Sequence, residues 1–129
     1  MSFSKLVTLA LGLLCGIAGY TDVSASTISV KCEVRSSPAR SKISVDGAGV
    51  AGKFYAQVKS GGVLKSTGVK SSDSANEVEF DLDSNPADIK AGATAISASF
   101  IKNKYVIGYI RRSGTNGLIA AASATCAAK

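Results

Sequence analysis

Histidine and tryptophan are absent from this chain, proline occurs twice, and cysteine occurs three times. Without histidine there is no ordinary neutral-pH proton carrier, no triad base and no imidazole ligand for zinc. Aromatic residues make up only 6% of the chain, and the missing indole removes the broadest flat ring on which a sugar could stack. Beyond the first twenty positions no apolar run has the length that a membrane-spanning helix needs. A chain of 129 residues accommodates one ordinary domain.

The beginning of the chain reads as an export signal. Lys5 supplies a short positive segment, and Leu6 to Ala18 form an apolar stretch too short to cross a bilayer comfortably. Val23-Ser24-Ala25 then puts small residues at the −3 and −1 positions of a cleavage site. A buried N-terminal helix is one alternative. Another is a lipoprotein acylated at Cys15, although Leu14 stands where a lipidation motif has a small residue. The expected organisation is a signal peptide over 1–25 and one domain over 26–129, secreted or periplasmic. Cleavage removes Cys15 and leaves Cys32 and Cys126, an even pair that an oxidising compartment would join as a disulfide. Two distant thiols without histidine make a poor metal site.

Period-2 alternation dominates residues 26–129. Ile28, Val30, Cys32 and Val34 alternate with Ser29, Lys31, Glu33 and Arg35, and Val78, Phe80 and Leu82 alternate with Glu79, Asp81 and Asp83. Ile43 and Val45, then Phe54, Ala56 and Val58, and then Ile96, Ala98 and Phe100 continue the pattern. Leu118, Ala120, Ala122, Ala124 and Cys126 also share a face, although so many alanines suit a helix as well. Ser60-Gly61-Gly62, Lys102-Asn103-Lys104 and Ser113 to Gly117 read as hairpin turns, and Asn85-Pro86 stops the acidic strand. The expected fold is an all-β, antiparallel β-sandwich of seven or eight strands. Ile89-Lys90-Ala91-Gly92 ahead of Thr94 resembles the sheet-to-sheet corner of immunoglobulin and fibronectin-III domains, which implies an architecture of that kind.

Three segments look like chemistry. Gly47-Ala48-Gly49-Val50-Ala51-Gly52 matches G-x-G-x-x-G, but Lys53 to Val58 alternates like a strand where a dinucleotide site needs a helix, so a flexible connection is expected. Ser99-Phe100-Ile101-Lys102 matches S-x-x-K, but in a strand residues three apart face opposite ways. Asp81, Asp83, Asn85 and Asp88 gather hard oxygen ligands at a strand-to-loop transition and form a calcium candidate. The same Asp81/Asp83 pair is the one candidate for a small hydrolase, although an exposed pair lacks the apolar pocket that raises an acid.

Charge is arranged in blocks. Residues 26–72 carry eight Lys/Arg and two Asp/Glu, residues 73–88 carry six acids and no base, and residues 89–129 carry six bases and no acid. Pairing of the acidic strand with basic neighbours would explain this structurally. The functional alternative is a basic surface, including Lys102, Lys104, Arg111 and Arg112, that attracts anionic polysaccharide, lipid headgroups, extracellular DNA or another protein, with no nucleic-acid motif present to make DNA recognition specific. Tyr55, Tyr105 and Tyr109 are the aromatic residues available to such a surface. The sequence therefore favours a non-catalytic exported binding module, with a self-assembling surface subunit as the second reading and a cofactor expected for neither.

Overall fold

The computed structural model describes residues 26–129; the expected signal peptide and Cys15 lie outside the described residues. The described residues form ten strands and one short helix: β1 (Thr27–Ser36), β2 (Ala39–Ala48), β3 (Lys53–Ser60), β4 (Val63–Ser66), β5 (Lys70–Ser71), β6 (Glu77–Asp83), α1 (Pro86–Lys90), β7 (Thr94–Ala95), β8 (Tyr105–Arg112), β9 (Leu118–Thr125) and β10 (Ala127–Ala128). They build two sheets. The first has the order β10-β1-β2-β6-β7; the second has the order β4-β3-β8-β9, with β5 on the edge of β3. The long pairings are antiparallel, but β1/β10 and β6/β7 are parallel. The two parallel edge strands are each two residues long, too short to show any alternation, so sequence reasoning could not have counted them.

The alternating apolar residues meet between the sheets. Ile43 and Val45 of β2 and Phe80 and Leu82 of β6 face Phe54, Ala56 and Val58 of β3 and Val106 and Ile110 of β8, all of them buried. Burying each larger side chain of this set contributes about 1.5–3 kcal/mol, which is what holds one sheet against the other. The alanine-rich segment is strand β9, not helix, with Ala120, Ala122 and Ala124 opposite Ile110, Gly108 and Val106. A bulge between Ile110 and Arg111 shifts the phase there. Leu118 is consequently exposed and Ile119 packs on the core, the reverse of simple alternation.

Cys32 and Cys126 form a disulfide, as expected, across 94 residues of chain. Cys126 lies where the chain leaves β9 in the second sheet and enters β10 in the first, so the bridge fastens β1 to the crossing point.

Two expectations about connections need correction. Gly47 does not belong to a flexible connection: it is a buried residue of β2, where an added Cβ would meet Ile110 and Val78. Only Gly49 and Gly52 take the positive φ values, 71° and 125°, that the link to β3 requires. The segment Ile96–Ile101 is not a strand either. It is an irregular crossover from β7 to β8 that buries Ile96, Phe100 and Ile101. Its backbone groups are satisfied by hydroxyls: Ser41 Oγ donates to Ala98 O (2.8 Å) and accepts from Ile101 N (3.3 Å). Ser60 Oγ accepts from Lys102 N and donates to Tyr105 O, both at 2.7 Å. Side-chain partners of this kind make a ladder unnecessary and leave no periodic trace in the sequence.

Candidate functional site

Sorting the charges by sheet reveals what sorting them along the chain conceals. Strands β3, β4, β5, β8 and β9 contain Lys53, Lys59, Lys65, Lys70, Arg111 and Arg112 and not one Asp or Glu. Strands β1, β2 and β6 contain four Lys/Arg and six Asp/Glu. Among the described residues all three ion pairs, Arg35–Glu33, Arg40–Asp83 and Arg40–Asp88, lie on the first sheet or on α1 beside it. The cations of the second sheet have no carboxylate partner among those residues.

The outer face of the second sheet follows from the strand period. With Phe54, Ala56 and Val58 inward, Lys53, Tyr55, Gln57 and Lys59 point out from β3. With Val106 and Ile110 inward, Tyr105, Ile107, Tyr109 and Arg111 point out from β8. Register sets Arg111 opposite Tyr55 and Tyr109 opposite Gln57, while Ala121 and Ser123 of β9 lie opposite Tyr109 and Ile107. The result is a flat face with three tyrosines, flanked by small side chains. Arg111 is fixed within it: Nε donates to Gln57 Oε1 at 2.8 Å and Nη1 donates to Asn116 O at 3.0 Å. Tyr55 Oη donates to Asn116 Oδ1 at 2.9 Å, and the Arg111 guanidinium carbon lies 6.0 Å from the Tyr109 ring centroid. Asn116, at φ 62° in the β8–β9 turn, thus ties a tyrosine and an arginine to one hairpin.

The four basic residues singled out from sequence do not form one patch. Lys102 and Lys104 are exposed in the turn before β8, whereas Arg111 and Arg112 end that strand, about 23 Å away at the usual rise. Arg112 also differs from its neighbour. Its guanidinium lies 4.9 Å from the Phe54 ring centroid and Nη1 donates to Ala51 O, so it folds over the end of the core. Lys53 and Lys59, which share the Arg111 face, were missed by sequence reasoning. Their alternation with Tyr55 and Gln57 was the available signal.

Two of the four calcium candidates, Asp83 and Asp88, converge, but on a guanidinium. Asp83 breaks the alternation of β6, because α1 and Arg40 cover a side chain that would otherwise face out; its side chain is 3% exposed. Arg40 Nε and Nη2 donate to Asp83 Oδ1 and Oδ2 at 3.0 and 2.7 Å, and Nη2 also donates to Asp88 Oδ2 at 2.7 Å. Asn85 Oδ1 is used as the N-cap of α1, accepting from Ala87 N at 2.9 Å. Asp81 stands apart, exposed on the outer face opposite Ser44. No group of three or more metal-ligating side chains is assembled among the described residues. Burial by itself raises the Asp83 carboxyl, but the Arg40 hydrogen bonds and the Asn85 amide outweigh it and hold the group below the ordinary value of 3.8.

The outer face of the first sheet carries both signs, with its acids gathered where β2 meets β6. Asp46 of β2 lies directly opposite Glu79 of β6, two pairs along the ladder from Ser44 and Asp81 and so on the same face. Desolvation raises the Asp46 carboxyl above its ordinary value, with Asp81 adding to the shift and Lys31 and Ser44 opposing it, and Asp46 Oδ1 is buried without a hydrogen-bond partner. The acidic strand β6 therefore lies beside both a base, Lys42 opposite Asp83, and a like charge. A cleft of about 560 Å³ runs between the β4–β5 connection and the α1–β7 connection, with Lys42, Lys70, Asp81, Thr67 and Thr94 in its walls. Its charges are of both signs. No helix among the described residues is long and apolar enough to cross a membrane.

No family model matches the chain, and neither a curated protein nor a solved structure is significantly similar to it.

Proposed function

We propose that this protein is a non-catalytic, exported β-sandwich that binds an anionic polymer on the outer face of its second sheet. The observation that carries this reading is the segregation of charge. Lys53, Lys59 and Arg111 share a tyrosine-bearing face on a sheet with no carboxylate, so nothing on that sheet neutralises them or competes for them. Such a face attracts polyanions over a Debye length of about 8 Å at physiological salt. Export is supported by the disulfide, which persists in oxidising compartments.

The immunoglobulin- or fibronectin-III-like architecture is part of the proposal. Strands β1, β2 and β6 stand where A, B and E would, and β3, β8 and β9 where C, F and G would. The bridge departs from that plan, since it ties the first strand to the last crossing instead of joining the two sheets through B and F. The hydrolase reading is weaker. A glycosidase acid needs a raised carboxyl, and Arg40 holds Asp83 down.

Binding of the purified protein to an immobilised polyanion should fall steeply between 50 and 300 mM salt, settings chosen to span the Debye length of about 8 Å. Lys53→Gln with Lys59→Gln should weaken it at constant fold, and Lys102→Gln with Lys104→Gln should weaken it less. Binding indifferent to salt and to both pairs defeats the reading. A second reading, head-to-tail assembly, draws support from the acids gathered where β2 meets β6, whose Asp46, Glu79 and Asp81 complement the basic face of the second sheet. Sedimentation at low salt separates the two. A binder stays monomeric, whereas a charge-assembled subunit grows as salt is removed.

A further inference from the structure

We propose that Arg111 is the specificity residue of this face, a pre-set fork for the carboxylate of an acidic sugar unit in a polysaccharide. The inference rests on the polymer-binding reading and adds to it the chemical class of the repeating unit. Arginine offers five N–H donors in a planar arrangement that matches a carboxylate through two parallel bonds. Here the bonds to Gln57 and Asn116 use Nε and Nη1, and both bonds hold the plane in place before any ligand arrives. Nη2 has no partner among the described residues, and Nη1 keeps one further hydrogen. The edge those atoms define is the edge a carboxylate would meet. Ordering cost is low because the side chain is already ordered.

The surroundings favour a sugar over a lipid. Tyr55 and Tyr109 flank the fork, the former tied by its hydroxyl to Asn116, so their rings are available as apolar platforms in a fixed orientation. Ala121 and Ser123 across from Tyr109 and Ile107 keep the β9 side of the face low, leaving lateral space for a ring. The aliphatic side chains at this face, Ile107 and the exposed Leu64, both lie opposite Lys59 and away from the fork. The remaining cations lie along the same axis. Lys59 is four residues from Tyr55, the residue opposite Arg111, and Lys53 is two residues the other way, so the three cations span about 20 Å at the usual rise of a strand. A chain lying along β3 and β8 would meet all three, and a single sugar would meet only the fork.

The test measures affinity at fixed salt for polygalacturonate, dextran sulfate, neutral dextran and phosphatidylglycerol vesicles, with folding checked by circular dichroism. Arg111→Lys keeps the charge and removes the fork; it should weaken polygalacturonate binding about tenfold, as expected for one lost charge-assisted bond, and dextran sulfate binding less than about twofold. Gln57→Glu should do the same to polygalacturonate by giving the guanidinium an internal carboxylate, and it decides the matter if Arg111→Lys does not fold. Neutral dextran should not bind. Unchanged polygalacturonate binding in both variants, an equal loss for dextran sulfate, or a preference for vesicles each overturns the assignment. If those results come with weakened binding in Lys53→Gln/Lys59→Gln, the polymer reading survives without the fork. If the unaltered protein binds no polyanion at all, that underlying reading has itself failed.

Discussion

Gly108 faces the interior of β8, where an added Cβ would lie 2.7 Å from Val30 Cγ2 and 3.4 Å from Val45 Cγ2. Both neighbours are β-branched and stiff at χ1, so neither swings aside easily. Gly108→Ala should therefore destabilise by about 1–3 kcal/mol in a denaturant melt, even though alanine is intrinsically the better strand residue. Gly47→Ala should cost less, because the nearest atom, Ile110 Cδ1 at 2.6 Å, is the free end of a longer side chain, leaving Val78 Cγ1 at 3.2 Å as the stiff neighbour. Asp46 makes the complementary case for polar residues. Its raised carboxyl means that the native state favours the protonated form, so its cost to stability is present at neutral pH and is relieved as pH falls through the native value. Asp83 runs the other way: its contribution is present above the unfolded value near 3.8 and is lost as pH falls below it through the depressed native value. Asp46→Asn should raise the melting temperature at pH 7, by the equivalent of about 0.2–1 kcal/mol, because it removes a partly desolvated charge and its repulsion with Asp81, with the gain shrinking on acidification. Asp83→Asn should instead flatten the loss of stability below about pH 4. A melting temperature for Asp46→Asn that is lower at pH 7 would contradict this account.

At the scale of elements, what was legible and what was not divide along one physical line. Strands β1, β2, β3 and β6 half-bury one face, so their sequences alternate and their inward residues are legible from that alternation alone. Asn85-Pro86 was readable as a stop, and the side-chain cap it supplies to α1 fits that signal. The crossover between β7 and β8 was misread as a strand because Ile96, Ala98 and Phe100 imitate alternation. What holds it is a pair of hydroxyls from β2 and β3, and a partner many residues away leaves no local mark. Ser41 is fully buried, so Ser41→Ala should strand the Ile101 amide and the Ala98 carbonyl at a cost of about 1–3 kcal/mol. Hydrogen exchange at Ile101 and Lys102 should accelerate first, while β1 and β6 keep their protection; uniform loss of protection would argue against a pinned crossover. The candidate sites repeat the lesson. Asp83 looked like a cation ligand because Arg40, 43 positions earlier, is adjacent only across the β2–β6 ladder. Lys53 and Lys59 were hidden because charge was read in blocks along the chain, whereas a sheet distributes it by face.

For the whole molecule, the bridge between Cys32 and Cys126 decides how a pull is carried. Tension entering before β1 and leaving after β10 runs from Ser26 to Cys32, through the sulfurs, and out through Cys126 to Lys129. The 94-residue separation between the cysteines is bypassed, so the second sheet and the rest of the first lie outside the line of force, which passes only through the first half of β1 and through β10. Thermodynamically the same bridge should be worth about 2–5 kcal/mol, read as the stability lost in Cys32→Ala. Mechanically its effect is all-or-none. Held by its two ends in a force spectrometer, the oxidised protein should lengthen only by the slack of its short terminal segments, whatever happens to the core. Reduction should release a further contour of about 310–340 Å, from about 3.3–3.6 Å per residue over the span between the cysteines. A long release from oxidised protein would mean that the load path runs through the sheets after all. A domain wired in this way is a fixed-length link, and a ligand held on its outer face would stay on an unstretched surface while the chain on either side is under load.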